Sequence, residues 1–139
     1  MARLATLILT ASGIAAAAAV VAAAQPPALA QTQPGLWEIS GAPGVKTPVR
    51  QCVAEIAALA RFEHRSRNCS ARVLKDNGSS TAIDYSCGGA GFGHSEITVL
   101  TPRSLRIETQ GISDGLPFNY VLQARRVDDC PKSASVARH

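Results

Sequence analysis

Aromatic residues are scarce in this sequence. Trp37, Phe62, Tyr85, Phe92, Phe118 and Tyr120 are the whole complement, so a domain built from it has a thin core and covalent staples are an expected supplement. Strong charge of one sign is also missing. The net charge of +4 is far from the basic stripe that nucleic-acid binding shows, which argues against a nucleic-acid partner. No Gly-x-Ser-x-Gly elbow occurs, and no carboxylate pair has a spacing that acid–base chemistry demands. A hydrolase or metal-dependent enzyme is therefore the weakest reading, with no catalytic residue and no cofactor to name. The stretch GGAGFG (Gly88–Gly93) has the composition of a phosphate loop, but it lacks the G-x-G-x-x-G spacing and precedes no helix. It reads as a flexible hairpin connection or a bulge.

What is present begins with a leader. Residues 1–30 carry one early positive charge, Arg3, then an uncharged apolar run, then Ala28-Leu29-Ala30 before Gln31. That is the order of a secretory signal peptide with a small-residue cleavage site. The rival is an uncleaved anchor, since Leu4 to Ala24 is long enough to span a bilayer, but alanine dominates the run and drives insertion weakly. No cysteine stands near the cleavage point to take a lipid anchor. The expectation is export to the periplasm or medium, a single domain over residues 31–139, and no stable membrane span after cleavage. Arg3 leaves with the leader, so the net charge falls from +4 to +3.

All four cysteines (Cys52, Cys69, Cys87 and Cys130) lie in the exported part, where disulfides persist. Four cysteines allow three pairings. The stretch CSARVLKDNGSSTAIDYSC helps to choose, because Cys69 and Cys87 flank a turn signal at Asp76-Asn77-Gly78. A two-residue Asn77-Gly78 loop would put the cysteines on opposite faces of a hairpin. A three-residue loop puts them on one face, diagonally placed. One further slip sets them directly opposite, with Val73 facing Ile83 and Ala71 facing Tyr85. Either of the last two registers lets a bridge form, so Cys69–Cys87 is the first choice and Cys52–Cys130 remains.

Two more hairpins follow. One turns at Thr101-Pro102-Arg103 and sets Val99 opposite Leu105 and Ile97 opposite Ile107. The next turns at Asp114-Gly115 and sets Ile107 opposite Leu122 and Thr109 opposite Tyr120. Pro117 should mark a strand start or edge. A strand at Leu36–Ser40 with Trp37 and Ile39 inward and an extended piece at Pro48–Cys52 precede them, and Val53–Ala60 is the one helical run. The fold class is mainly β: an antiparallel meander, as a curved sheet or incomplete barrel, with one short helix packed on it.

The segments QPGLWEIS, RQCVAEIAAL, IDYSCGGAGFG and ARRVDDC, in this order with four cysteines, resemble the family called domain of unknown function 3617. The likeness runs from Pro34 to Cys130. It departs at Ala124 and Asp128, where glycines are frequent, and in an unusually basic loop between Cys52 and Cys69. The resemblance implies a small secreted or periplasmic β-rich protein and implies no reaction.

Three groups of side chains remain as candidates. His64, Cys69, Cys87 and His94 have spacings that could assemble a zinc tetrad, but cysteines oxidised by export make a poor metal site, and none is assigned. Arg61, Arg65 and Arg67, with Arg72 beyond, form the single basic cluster; it is a solvated loop or a contact for an anionic envelope component. Trp37, Phe118 and Tyr120 could line a concave face for an apolar ligand or a partner segment. The leading functional reading is a non-catalytic periplasmic binding module, and the alternative is an envelope-associated structural or stress protein working through the basic loop.

Overall fold

The computed structural model describes residues 25–132. Seven strands form one antiparallel sheet: β1 (Gly35–Ser40), β2 (Val49–Val53), β3 (Ser70–Asp76), β4 (Ser80–Ser86), β5 (Gly91–Thr101), β6 (Ser104–Ser113) and β7 (Leu116–Asp128). Their order is β2-β1-β7-β6-β5-β4-β3, so strands three to seven run as a meander and the first strand returns to pair with the last. The sheet does not close. β2 and β3 are its edges.

The hairpin registers follow from turn chemistry. Around Asp114-Gly115, with φ of 47° and 82°, a two-residue turn sets Ile107 opposite Leu122 and Thr109 opposite Tyr120. Ile97 faces Ile107 and Val99 faces Leu105, after which a bulge shifts the pairing to Thr101 with Ser104. In the first hairpin Val73 faces Ile83 and Ala71 faces Tyr85, the register that sets Cys69 against Cys87. A bulge between Val73 and Lys75 then moves the turn by one residue. Asn77 Oδ1 organises that turn by accepting from the N–H groups of Ser79 (3.0 Å) and Ser80 (2.7 Å). Pro117 is the second residue of β7, ahead of Gln123–Asp128 where β1 pairs, so its missing N–H costs no ladder bond there.

One face of the sheet carries the core. Trp37, Ile39, Ile97, Leu105, Ile107 and Leu122 are all buried there. Against them lies a 3-10 segment, Ile56–His64, with Arg61 out of helical geometry (φ −105°, ψ 34°). The helical run thus starts three residues later than the expected Val53, because Val53 is held extended opposite Gly35 at the end of β2. Its three-residue repeat aligns Ile56, Leu59 and Phe62, and all three are buried. The Ser95 hydroxyl, buried in the centre of β5, donates to the Ala60 carbonyl at 2.5 Å and ties the segment to the sheet. A second short 3-10 segment, Pro27–Gln31, places Leu29 in the same core. Among the described residues no helix is long and apolar enough to cross a membrane.

Two disulfides staple the margins. Cys52, on edge strand β2, is joined to Cys130 beyond β7, with Cα atoms 5.4 Å apart. Cys69, before edge strand β3, is joined to Cys87 after β4, with Cα atoms 4.1 Å apart.

Candidate functional site

The sequence pattern points to an aromatic binding face at Trp37, Phe118 and Tyr120. The structure puts Trp37 in the filled core at 0% exposure, its indole N–H donating to the Gln33 carbonyl at 3.1 Å. Tyr120 is buried as well, and its hydroxyl donates to Glu63 Oε2 at 2.5 Å. Trp37 therefore offers no ligand surface. Its strand lies inside the sheet between β2 and β7, and its core face is covered. Phe118 is half-buried, 5.7 Å from the Tyr120 ring. It touches two cavities.

The larger cavity, about 960 Å³, lies toward the Cys69–Cys87 end of the sheet. Most of its walls are built from positions out of phase with the core. Tyr85, Gly93, Gly111 and Phe118 face one another across β4 to β7 on the core side. Their neighbours point the other way. One row crosses five strands as Arg72, Asp84, His94, Gln110 and Asn119. A second runs parallel to it as Ser70, Ser86, Phe92, Ile112 and Pro117. All of these except Pro117 line the cavity. A polar row and a partly apolar row thus stand side by side on the face opposite the 3-10 segment.

The floor between the rows depends on two opposed glycines. A side chain at Gly111 would strike the Phe92 carbonyl oxygen and come within 3.0 Å of the Phe118 ring, and one at Gly93 would strike the Tyr85 ring. Gly111 is thus required by the close approach of β5 to β6, and Gly93 by the Tyr85 ring that packs against it from β4. Beneath the floor, His64 is buried with both ring nitrogens engaged. Nε2 faces the Ala90 carbonyl at 3.1 Å, which assigns the Nε2–H tautomer, and Nδ1 accepts from the Tyr85 hydroxyl at 3.2 Å. Burial, with a smaller contribution from the Glu63 charge, outweighs a hydrogen bond from Thr109 and pushes the Tyr85 phenol up to about 12. The Tyr120 phenol is raised further, by burial first and then by its bond to Glu63.

In the polar row, His94 Nδ1 lies 2.6 Å from Asp84 Oδ1 and Arg72 lies 3.9 Å from Asp84 Oδ2. The carboxylate fixes the imidazole's orientation and is balanced by the guanidinium. Phe92 projects from the second row at 56% exposure, a large apolar surface beside these polar groups. The smaller cavity, about 510 Å³, is lined by Val45, Val49, Phe62, Glu63, Arg65 and Tyr120 among others, with Phe118 shared between the two.

The basic loop is not one open cluster. Arg61 donates to the Arg67 carbonyl at 3.1 Å, and Arg65 donates to the Phe62 carbonyl at 3.1 Å while stacking 4.5 Å over that ring. Arg67 pairs with Asp114 at 3.9 Å, and Arg72 belongs to the row on β3. Two of these side chains therefore brace the loop itself. Of the four residues that could have made a zinc set, Cys69 and Cys87 are joined to each other, His64 is buried, and His94 bonds Asp84.

Descent is decided by comparison with known protein families. A model of the family described as protein of unknown function DUF3617 matches residues 32–130. The chain belongs to that family. The matched span runs from just before β1 to the last cysteine and takes in both disulfides and both cavity rows. No curated protein and no solved structure matches the chain.

Proposed function

We propose that this DUF3617 protein is an exported, non-catalytic binding module whose site is the outer-face cavity, taking an amphiphile with an apolar chain and a polar head. Phe92 carries the reading. An aromatic ring is left exposed beside Ile112 of its own row, in a cavity of the size small-molecule sites occupy, with Arg72, Asp84 and His94 convergent on one side. The chain of the ligand lies over the Phe92 row and its head against the polar row. Two disulfides fit an oxidising compartment, which supports the exported part of the reading.

The test is equilibrium titration with dodecanoate, dodecylamine and dodecyl maltoside, each below its micelle-forming concentration, followed by native mass spectrometry. Saturable binding of at least one probe, weakened tenfold or more by Phe92→Glu, is the expected result. Leu100→Glu alters an equally exposed residue outside the cavity and should leave binding unchanged. Failure of all three probes, or equal losses in the two variants, would refute the site.

A further inference from the structure

The leader and the folded domain lay claim to the same residues. A cut after Ala30 would take away Leu29, which is shut off from solvent in the core cluster, together with buried Ala28. Hydrogen bonds hold the segment in place as well. The Ala28 N–H donates to Asp76 Oδ2 at 3.1 Å, reaching the β3–β4 turn. The Leu29 carbonyl accepts from the Gln25 side-chain amide at 2.6 Å and from the Thr32 hydroxyl at 2.5 Å. The Leu29 N–H donates to the Pro26 carbonyl at 2.9 Å, and Pro26 is itself buried. Residues from Gln25 onward are thus part of the domain's fabric.

We infer that the export leader is removed after Ala24, so that the exported protein begins at Gln25 and keeps Leu29 as a core side chain. The inference rests on the exported part of the function proposed above. Ala22-Ala23-Ala24 supplies the small residues a leader peptidase requires at the first and third positions before the cut, and it follows directly on the apolar run. The later Ala28-Leu29-Ala30 has the same pattern, but its middle residue is needed inside the fold.

N-terminal sequencing and intact mass of the protein recovered from the periplasm or medium test this. A start at Gln25 is expected. A start at Gln31 would overturn the site while leaving export standing, and retention of Met1 would overturn both. Two variants sharpen the result. Ala30 is exposed in the fold, so Ala30→Arg should be processed and folded normally, whereas Ala24→Arg should block processing. The reverse pattern would overturn the inference. Produced without a leader, a chain starting at Gln31 should melt at least about 10 °C below one starting at Gln25, because it lacks a fully buried leucine. Equal melting temperatures would deny Leu29 its place in the core.

Discussion

Replacing Cys52 and Cys130 together by alanine should destabilise the domain more than replacing Cys69 and Cys87 together. The first bridge spans a sequence separation of 78 and the second one of 18. Confining those loops in the unfolded chain is worth about 4.5 and about 3.2 kcal/mol respectively, on the chain-entropy relation. The difference, roughly 1 kcal/mol, has a structural companion. Cys52 lies on β2, which pairs only with β1, so the long bridge also pins an otherwise one-sided edge to the end of β7. Either loss is a large share of the about 5–15 kcal/mol that holds a small domain together. Urea unfolding followed by fluorescence measures both, since Trp37 is the only tryptophan and is fully buried. The urea dependence of the unfolding free energy should be steeper in the Cys52/Cys130 variant, whose unfolded chain keeps only the short loop closed, so unfolding free energies rather than midpoints are compared. If the Cys69/Cys87 variant were the less stable by about 1 kcal/mol or more, loop closure would not govern what these bridges contribute, and the reasoning would fail.

Further outcomes follow from the buried floor of the cavity. The two tyrosines of the sequence are the two buried ones, so tyrosinate absorbance reports on them alone. Unfolded tyrosine ionises near pH ~10, while the folded Tyr85 phenol is pushed up to about 12 and that of Tyr120 is raised further. The fold prefers the protonated phenols. Stability should therefore be level below about pH 10 and decline as pH rises from there toward 12, with no tyrosinate signal before unfolding begins; a native protein showing full tyrosinate at pH ~10 would contradict the burial. Gly111→Ala should cost about 1–3 kcal/mol by forcing β5 and β6 apart, whereas Gly89→Ala, where a side chain meets open space, should stay within about 0.5 kcal/mol of wild type. Equal effects in thermal melts would remove the glycine pair from the account.

Much of the fold was legible because turn residues and apolar alternation agree. Asp114-Gly115 and the Ile97–Ile107–Leu122 row state their registers outright, and Trp37 and Ile39 sit inward as their alternation requires. The bulges at Leu74 and Leu100 were not legible, since nothing in the residue types there marks an extra residue. The helical run moved because strand pairing at Val53 outweighed the helix preference of an alanine-rich stretch. Edge strand β3 shows why pattern alone misleads. Val73 alternates as a core residue but stays 45% exposed, on an edge strand that is exposed along nearly its whole length.

The candidate site was harder to read for a related reason. Residue type nominates Trp37, Phe118 and Tyr120 for a binding face, but type does not distinguish a core ring from an exposed one. Phase does. Phe92 is out of step with Gly93, Ser95 and Ile97 on its own strand, and that mismatch is visible in the sequence. The meeting of Arg72, Asp84, His94 and Gln110 was not visible, because it needs several strand registers to be correct at once. Only the Gly88–Ala90 half of the Gly88–Gly93 stretch is a connection; Gly91, Phe92 and Gly93 open β5, and their place in the floor of a cavity was not legible. Gly93 meets Gly111 only once β5 and β6 are paired.

The central claim is that a ligand lies across the two outer rows, and amide chemical-shift mapping tests it most directly. Adding whichever of the three dodecyl probes binds to the uniformly labelled protein should shift the amides of Phe92, His94, Gln110 and Ile112 together along one saturable curve. Amides around Trp37 in the core and Leu100 at the far end of β5 should stay in place. Shifts confined to the Arg61–Arg67 loop, or spread evenly over the surface, would contradict the account.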